Sequence, residues 1–337
     1  MKKHPWLQLL WLLVPVLVIW SVRDAPLADI LRALSSLSVA KILLLAALNT
    51  IILLLVSGRW WLILRAQGYT IRYLSVAAYR LVAFGISYFT PGPQFGGEPA
   101  QVYYMRNRHG ISTSSALASV SLDKILELLA NFGFLLVGIF AALGSGLLVE
   151  LAPIQAVAWM AGPFILLLTY TLAIWKGKSP LASLLTRLPQ RRGAILRLTR
   201  ATALAEEQIS QFCQRKPLVV LGASVLSILI WGVMTLEYWL ALRFLGIQVD
   251  LLQAVAALTA ARIAFLFPLP GGLGALEASQ ILAMEALGLN PALGLSISLL
   301  IRGRDITLGG LGILLGGIMT RRRARVVVPN QATERRI

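Results

Sequence analysis

Cysteine and histidine are almost missing from this sequence, and charge is scarce. The single cysteine, Cys213, has no partner for a disulfide, and His4 and His109 alone cannot make a cluster at metal-ligand spacing. A disulfide scaffold and a zinc site are excluded, and no metal or cofactor is expected. Charged residues make up 13% of the 337 positions, against about a quarter in soluble globular domains. With 58% hydrophobic residues and a mean hydropathy of +0.77, the chain is suited to lipid as its solvent. The charge that is present leans one way, at a net +17. In a soluble protein that balance would suggest nucleic acid, so its placement decides. The basic residues sit between apolar runs, mostly in alternate gaps, which explains the balance without nucleic acid.

Runs long enough to cross a hydrocarbon core of about 30 Å occupy 6–22, 39–58, 116–143, 156–175, 218–242 and 292–319, giving about six full spans. The first follows Lys2 and Lys3 as a signal peptide would, but the stretch from Arg23 to Pro26 offers no small-x-small cleavage site, so it is expected to remain a span. Two shorter apolar stretches, 74–89 and 251–267, stop at Thr90-Pro91-Gly92-Pro93 and at Pro268-Leu269-Pro270-Gly271-Gly272. Lys and Arg gather on one side: Lys2 and Lys3; Arg59, Arg65 and Arg72; Arg106 and Arg108; nine between Lys176 and Lys216; six between Arg321 and Arg336. The opposite gaps hold Arg23 and Arg32 beside Asp24, Asp29, Glu150 and Asp250. Cytoplasmic loops are enriched in Lys and Arg, so the expected location is a bacterial-type plasma (inner) membrane with both termini cytoplasmic.

That orientation is kept if each short stretch is half of a re-entrant hairpin, returning through 98–104 and 277–287. Non-helical backbone at membrane depth needs protein or a wet cavity to satisfy it, so each tip is a candidate cavity wall. The expected fold is all-α: a polytopic integral membrane protein of about six full spans plus two re-entrant, Pro-Gly-tipped helical hairpins in an inverted repeat. One transmembrane domain covers 1–320, with repeat halves at about 39–145 and 217–319 and a basic amphipathic cytoplasmic connector at about 176–216. The connector is expected to lie on anionic headgroups. Residues 321–337 read as a disordered basic cytoplasmic tail.

The repeat is visible in the spacing. The interval from Pro91 to Glu98 equals that from Pro270 to Glu277; the hairpin tips hold Gly92, Gly96 and Gly97 in one case and Gly271, Gly272 and Gly274 in the other. Arg80 and Arg262 precede the tips, and a charge follows each glutamate at the same interval, Asp123 after Glu98 and Arg302 after Glu277. The unit before the first tip runs inward and the unit before the second runs outward. Inverted-topology repeats with broken helices are a transporter arrangement whose substrate site lies at the repeat interface.

Ionisable residues inside apolar segments cost at least about 2.5 kcal/mol each on insertion scales, and they face a cavity or one another. Here Arg80, Glu98, Asp123, Lys124, Glu127, Arg262, Glu277, Arg302 and Asp305 are the candidates for substrate binding and translocation. The arginines and Lys124 would meet an anionic headgroup; Glu98, Glu277 and Asp123 would meet an amine or carry a proton. The competing reading is that these residues pair and only fix helix packing. Asp123 and Glu127 lie one helical turn apart, and Arg302 and Asp305 can pair locally. Arg304 is a further intramembrane charge. Glu237 and Arg243 are expected to snorkel; Trp60, Trp61, Tyr69, Tyr73, Trp159, Trp175 and Trp239 read as interface anchors.

The stretch Tyr88-Phe-Thr-Pro-Gly-Pro-Gln-Phe-Gly-Gly-Glu98, then Arg106, Ser119-Val-Ser-Leu-Asp123-Lys124, Pro268-Leu-Pro-Gly-Gly-Leu-Gly-Ala-Leu-Glu277 and Leu300-Ile-Arg302 resemble the lysylphosphatidylglycerol synthase transmembrane region, a flippase-like family also called UPF0104. The resemblance covers about 39–319. It implies that, in fused members, this region moves aminoacylated phospholipid between leaflets while a separate cytosolic domain makes the lipid. No length for such a domain follows Arg321, so synthase activity is not expected here. Three functions stay open: a flippase-like transporter of a phospholipid or lipid-linked anionic headgroup; an intramembrane enzyme acting on a lipid headgroup through Asp123 or Glu98; and a non-catalytic membrane partner of a cytoplasmic lipid-modifying enzyme.

Overall fold

The computed structural model describes residues 37–90, 96–144, 153–187, 193–267 and 269–324, together with Ser35. The expected first span at 6–22, Pro91 and Gly92 of the first tip, and the chain beyond 324 lie outside the described residues. The described residues are helical, with no strand among them, and bear out the all-α membrane fold. In chain order the helices are α1 (Val39–Ala66), α2 (Tyr73–Phe89), α3 (Glu98–His109), α4 (Thr113–Gly144), α5 (Pro153–Trp175), α6 (Pro180–Thr186), α7 (Gly193–Arg215), α8 (Pro217–Phe244), α9 (Leu251–Ala264), α10 (Ala275–Ala286) and α11 (Pro291–Ala324).

Four of them carry an apolar run long enough to cross a membrane: α1, α4, α8 and, within α5, Val157–Trp175. The expected run at 292–319 falls in α11, which has 34 residues but is broken by Arg302, Arg304 and Asp305. At about 1.5 Å per residue, α2 and α9 reach only about 26 Å and about 21 Å, short of the hydrocarbon thickness. Beyond each, the chain turns back locally. After α9, Gly271, Gly272 and Gly274 adopt φ of 55°, 63° and 76°, a left-handed turn that side chains resist. After α2, Gly97 N–H donates to Ser87 Oγ at 2.9 Å, closing the return into α3.

Elements of the two halves correspond at one constant offset in numbering. α1 and α8 begin at 39 and 217, α2 and α9 at 73 and 251, α4 and α11 at 113 and 291. Trp61 donates its indole N–H to Ile71 O at 2.9 Å, and Trp239, its counterpart at that offset, donates to Val249 O at 3.2 Å. The counterparts α1 and α8 lie along each other and run antiparallel: Lys41 Nζ reaches Phe244 O, Asn49 reaches Glu237, and Arg59 reaches Ser227. Partners are also exchanged, since α2 packs on α11 and α9 on α4. Both crossings rest on glycine. Gly312 faces the Leu81 carbonyl, Gly85 the Gly309 carbonyl, and Gly138 the Thr259 side chain, with no space for a methyl group.

The outer surface is apolar. Trp159 is 76% exposed and Leu218 80%, and α5 is almost bare over its apolar run. A water-soluble protein does not present such a belt, and lipid covers it at no cost. Trp60 departs from expectation. It is fully buried, its indole aimed at Ser119 Oγ at 3.4 Å, because α4 covers that face of α1.

The C-terminal half of the connector helix α7 packs on the bundle: Ala205, Ile209, Phe212 and Cys213 are buried with Ile63, Leu122, Ile125, Ile174 and Ala223, whereas Leu198 and Leu204 are exposed. Arg197 and Arg200 remain exposed. Glu206 caps the short α6, accepting from Leu181 N at 2.9 Å and Ala182 N at 3.0 Å, and holds Tyr170 Oη at 3.0 Å. Burial pushes the Cys213 thiol up to about 11. N-ethylmaleimide near neutral pH should therefore modify Cys213 about 100-fold more slowly in the folded protein than after denaturation, as read by mass spectrometry. Labelling at the denatured rate would place α7 away from the bundle.

Candidate functional site

Four helices converge on the first charged cluster. Asp123 and Glu127 are one turn apart on α4 and present both carboxylates to the same side. Two guanidiniums each span the pair. From α1, Arg59 donates Nε to Asp123 Oδ1 at 2.7 Å and a terminal nitrogen to Glu127 Oε2 at 3.2 Å. From α2, Arg80 donates to Asp123 Oδ2 at 2.7 Å and to Glu127 Oε2. Lys124 Nζ bridges Glu127 Oε1 at 2.7 Å and Glu98 Oε1 at 3.1 Å. The other Glu98 oxygen accepts from Gly96 N–H at 2.9 Å, tying the start of α3 to the first tip. Three cations and three carboxylates balance. Arg59 and Asp123 are 2% and 1% exposed, so this neutrality is what makes burial tolerable.

The second cluster surrounds the other tip. Glu277, in the first turn of α10, accepts from Gly274 N–H at 2.9 Å and takes two donors of Arg302, one of them at 2.7 Å. Arg302 also donates to the tip carbonyls of Gly271 at 3.2 Å and Gly272 at 3.4 Å. One side chain therefore holds the carboxylate and the turn together. Beside it, Arg304 joins Glu237 at 3.1 Å and Asp305 at 2.8 Å, and Asn49 donates to Glu237 at 3.1 Å. Arg262 is the exception. Its guanidinium meets Met234 Sδ at 3.9 Å and lies 5.1 Å from the Trp231 ring centre, with no carboxylate ion pair among the described residues. The end of α2 reaches the second tip, for Tyr88 lies directly against Gly271.

The candidate residues thus fall into two groups: Arg80, Glu98, Asp123, Lys124 and Glu127 in one, Arg262, Glu277, Arg302 and Asp305 in the other. Several expectations change. Arg302 pairs with Glu277 and Asp305 with Arg304, not with each other, because the tip places a carboxylate in front of Arg302 while Arg304 takes Asp305. Glu237 does not snorkel: it is 7% exposed and salt-bridged. The counterpart of Arg302 at the repeat offset is Lys124, not Asp123, and Lys124 is the residue that reaches the hairpin glutamate. Arg80 and Arg262 are not equivalent positions. Arg243 meets expectation in part, stacking 4.2 Å from the Trp239 ring centre at the end of α8.

Sequence reasoning missed Arg59. Standing at the end of an apolar run, it reads as a loop charge, yet it completes the first cluster. The available signal was its register: the repeat offset carries Arg59 onto Glu237, a place where the two halves hold opposite charges. Ser227 and Asn49, which carry the contacts between α1 and α8, gave no signal of their own. Among the described residues no group of three or more His, Cys, Asp or Glu side chains could hold a metal.

The comparisons agree with this architecture. The chain is 25% identical over 263 residues to a UPF0104 membrane protein of Methanothermobacter thermautotrophicus, covering 74% of this chain and 77% of the relative. It is 25% identical over 344 residues to a UPF0104 membrane protein of Pyrococcus horikoshii, covering 97% and 99%. No solved structure matches. The model of the family described as "Lysylphosphatidylglycerol synthase TM region" matches residues 7–312, a stretch that takes in both tips and both charged clusters. A membrane protein with these paired hairpin glutamates, matched over nearly its whole length, belongs to the lysylphosphatidylglycerol synthase transmembrane region family.

Proposed function

We propose that the protein moves a phospholipid or lipid-linked anionic headgroup between leaflets, by alternating access at the interface of two inverted repeats. The observation that carries this reading is the Glu277–Arg302–tip arrangement. Arg302 binds the hairpin carboxylate and the tip carbonyls at once, so a phosphate that took the place of Glu277 would release the turn. Lys124 and Glu98 offer the same exchange beside the first tip. Arg262, with sulfur and an aromatic face as neighbours, is a cation available to an incoming anion. The antiparallel course of α1 and α8 supports inversion, and the exchanged glycine crossings support movement of packed units past each other.

On this reading 1–320 is one transmembrane domain of six spans and two re-entrant hairpins. It sits in a bacterial-type inner membrane with both termini and the 321–337 tail cytoplasmic. Purified protein in proteoliposomes, assayed with a panel of fluorescent phospholipids, should translocate at least one of them above protein-free vesicles. Glu98→Gln and Glu277→Gln should each slow that step about tenfold, equivalent to about 1.4 kcal/mol of barrier. Group transfer or hydrolysis without translocation, or translocation untouched by both variants, would reject it.

A further inference from the structure

The last turn of α2 meets both hairpins at once. Ser87 and Tyr88 are adjacent there, so their side chains point about 100° apart around the helix. Ser87 Oγ accepts from Gly97 N–H at 2.9 Å and holds the return limb of the first hairpin. Tyr88 turns the other way, onto the hairpin of the opposite repeat. Its ring lies against Gly271 and passes Gly309 of α11, and Phe84 and Phe89 flank it with ring centres 5.9 Å and 5.2 Å away. A methyl group at Gly271 would stand 2.9 Å from the ring, so the left-handed glycine of the tip is also what lets Tyr88 approach.

The hydroxyl has a specific neighbour. Arg302 carries five N–H groups, and its contacts with Glu277, Gly271 O and Gly272 O use Nε, one hydrogen of Nη1 and both of Nη2. Tyr88 Oη faces the guanidinium, with Glu277 and Asp305 as further charged neighbours, in a place to accept the remaining N–H. The shared scaffold does not require this. At the repeat offset Phe89 is matched by Phe267, but Tyr88 is matched by Leu266, whose side chain offers no reciprocal hydrogen bond.

We propose that Tyr88 is a positioning residue that carries a change of partner at Arg302 to the first hairpin. The route is Arg302, the Tyr88 hydroxyl, the last turn of α2, then Ser87 and Gly97. An anion that drew Arg302 from Glu277 would compete for the same guanidinium and shift Tyr88, and with it the residue that closes the first return. The inference rests on the exchange at Arg302 proposed above, and it adds what makes the two hairpins change together.

Amide hydrogen exchange of the full chain in nanodiscs, read by mass spectrometry, tests it. Glu277→Gln should speed exchange at 271–274 in every background, since it weakens the grip of Arg302 on that tip. At Gly96 and Gly97 the same substitution should speed exchange about fivefold, the lower end of ordinary coupling between sites, whereas in a Tyr88→Phe background it should do so by less than about twofold. Tyr79→Phe, which removes from α2 a hydroxyl that meets His109 instead, should leave the full response. A response that survives Tyr88→Phe, an equal loss in Tyr79→Phe, or no acceleration at either tip overturns the proposal. Exchange is read without transport. Protein that shows the response but moves no lipid keeps the Tyr88 link and rejects translocation; protein that moves lipid without the response rejects the link alone.

Discussion

Asp123→Ala should destabilise the folded protein by about 3–5 kcal/mol, the range seen when one member of a buried ion pair is removed. The size follows from what is left behind. Arg59 and Arg80 both direct a nitrogen at Asp123 at 2.7 Å, and Arg59 is 2% exposed. With the carboxylate gone, Glu127 alone faces the two guanidiniums while sharing Lys124 with Glu98, and the cluster changes from neutral to +1 in a setting with little water to screen it. Asp123→Asn keeps the size but loses the charge and should fall between wild type and alanine. Arg80→Ala combined with Asp123→Ala should be milder than the sum of the single variants by about 1 kcal/mol or more, since the second change removes the orphan the first created. Thermal unfolding in detergent measures all four. Glu285→Ala, on an exposed surface, should move stability by less than about 0.5 kcal/mol. If Asp123→Ala behaves like Glu285→Ala, the cluster does not hold α1, α2 and α4 together.

Gly312→Ala should be a strongly damaging single-methyl change in α11. The added carbon would run into the Leu81 carbonyl, which belongs to a helix backbone and cannot rotate away as a side chain would. Forcing apart the α2–α11 contact should cost about 1–3 kcal/mol or more. Gly97→Ala meets the Ala83 carbonyl in the same way and should loosen the first hairpin. Gly303→Ala is the control on the same helix. Nothing lies within reach of its new methyl, so it should be neutral or stabilising by up to about 1 kcal/mol through helix propensity. The contrast between Gly303 and Gly312 is the diagnostic quantity. Equal effects at the two positions would mean that α2 and α11 do not pack as closely as described.

What the sequence made legible was local. α2 and α9 end at Phe89 and Ala264, ahead of the two Pro-Gly pairs in the sequence, and α3 and α10 begin at Glu98 and Ala275, where the return limbs were expected. The correspondence of the two halves was visible in outline for the same reason. Pairing was not, because it depends on which helix lies opposite. Arg302 has Asp305 one turn away on its own helix, an equally plausible partner in one dimension, yet the tip brings Glu277 nearer. Arg59 and Trp60 end an apolar run, where interface and interior read alike until α4 is seen to cover them. The connector's amphipathic pattern was correctly legible as a face to be buried, but pattern alone does not distinguish a lipid surface from a protein one.

The opposed charges at Arg59 and Glu237 have a consequence for any attempt to rebuild the protein from a single half. A chain made of two copies of residues 39–145 would carry arginine at both places, and the counterpart of Glu237 would no longer accept from Asn49. Two copies of the later half would put glutamate where Arg59 stands and isoleucine where Asp123 stands, so the first charged cluster could not form. The halves share a scaffold but have become complementary, like a lock and a key cut from one blank. Neither should assemble with itself into a working pair.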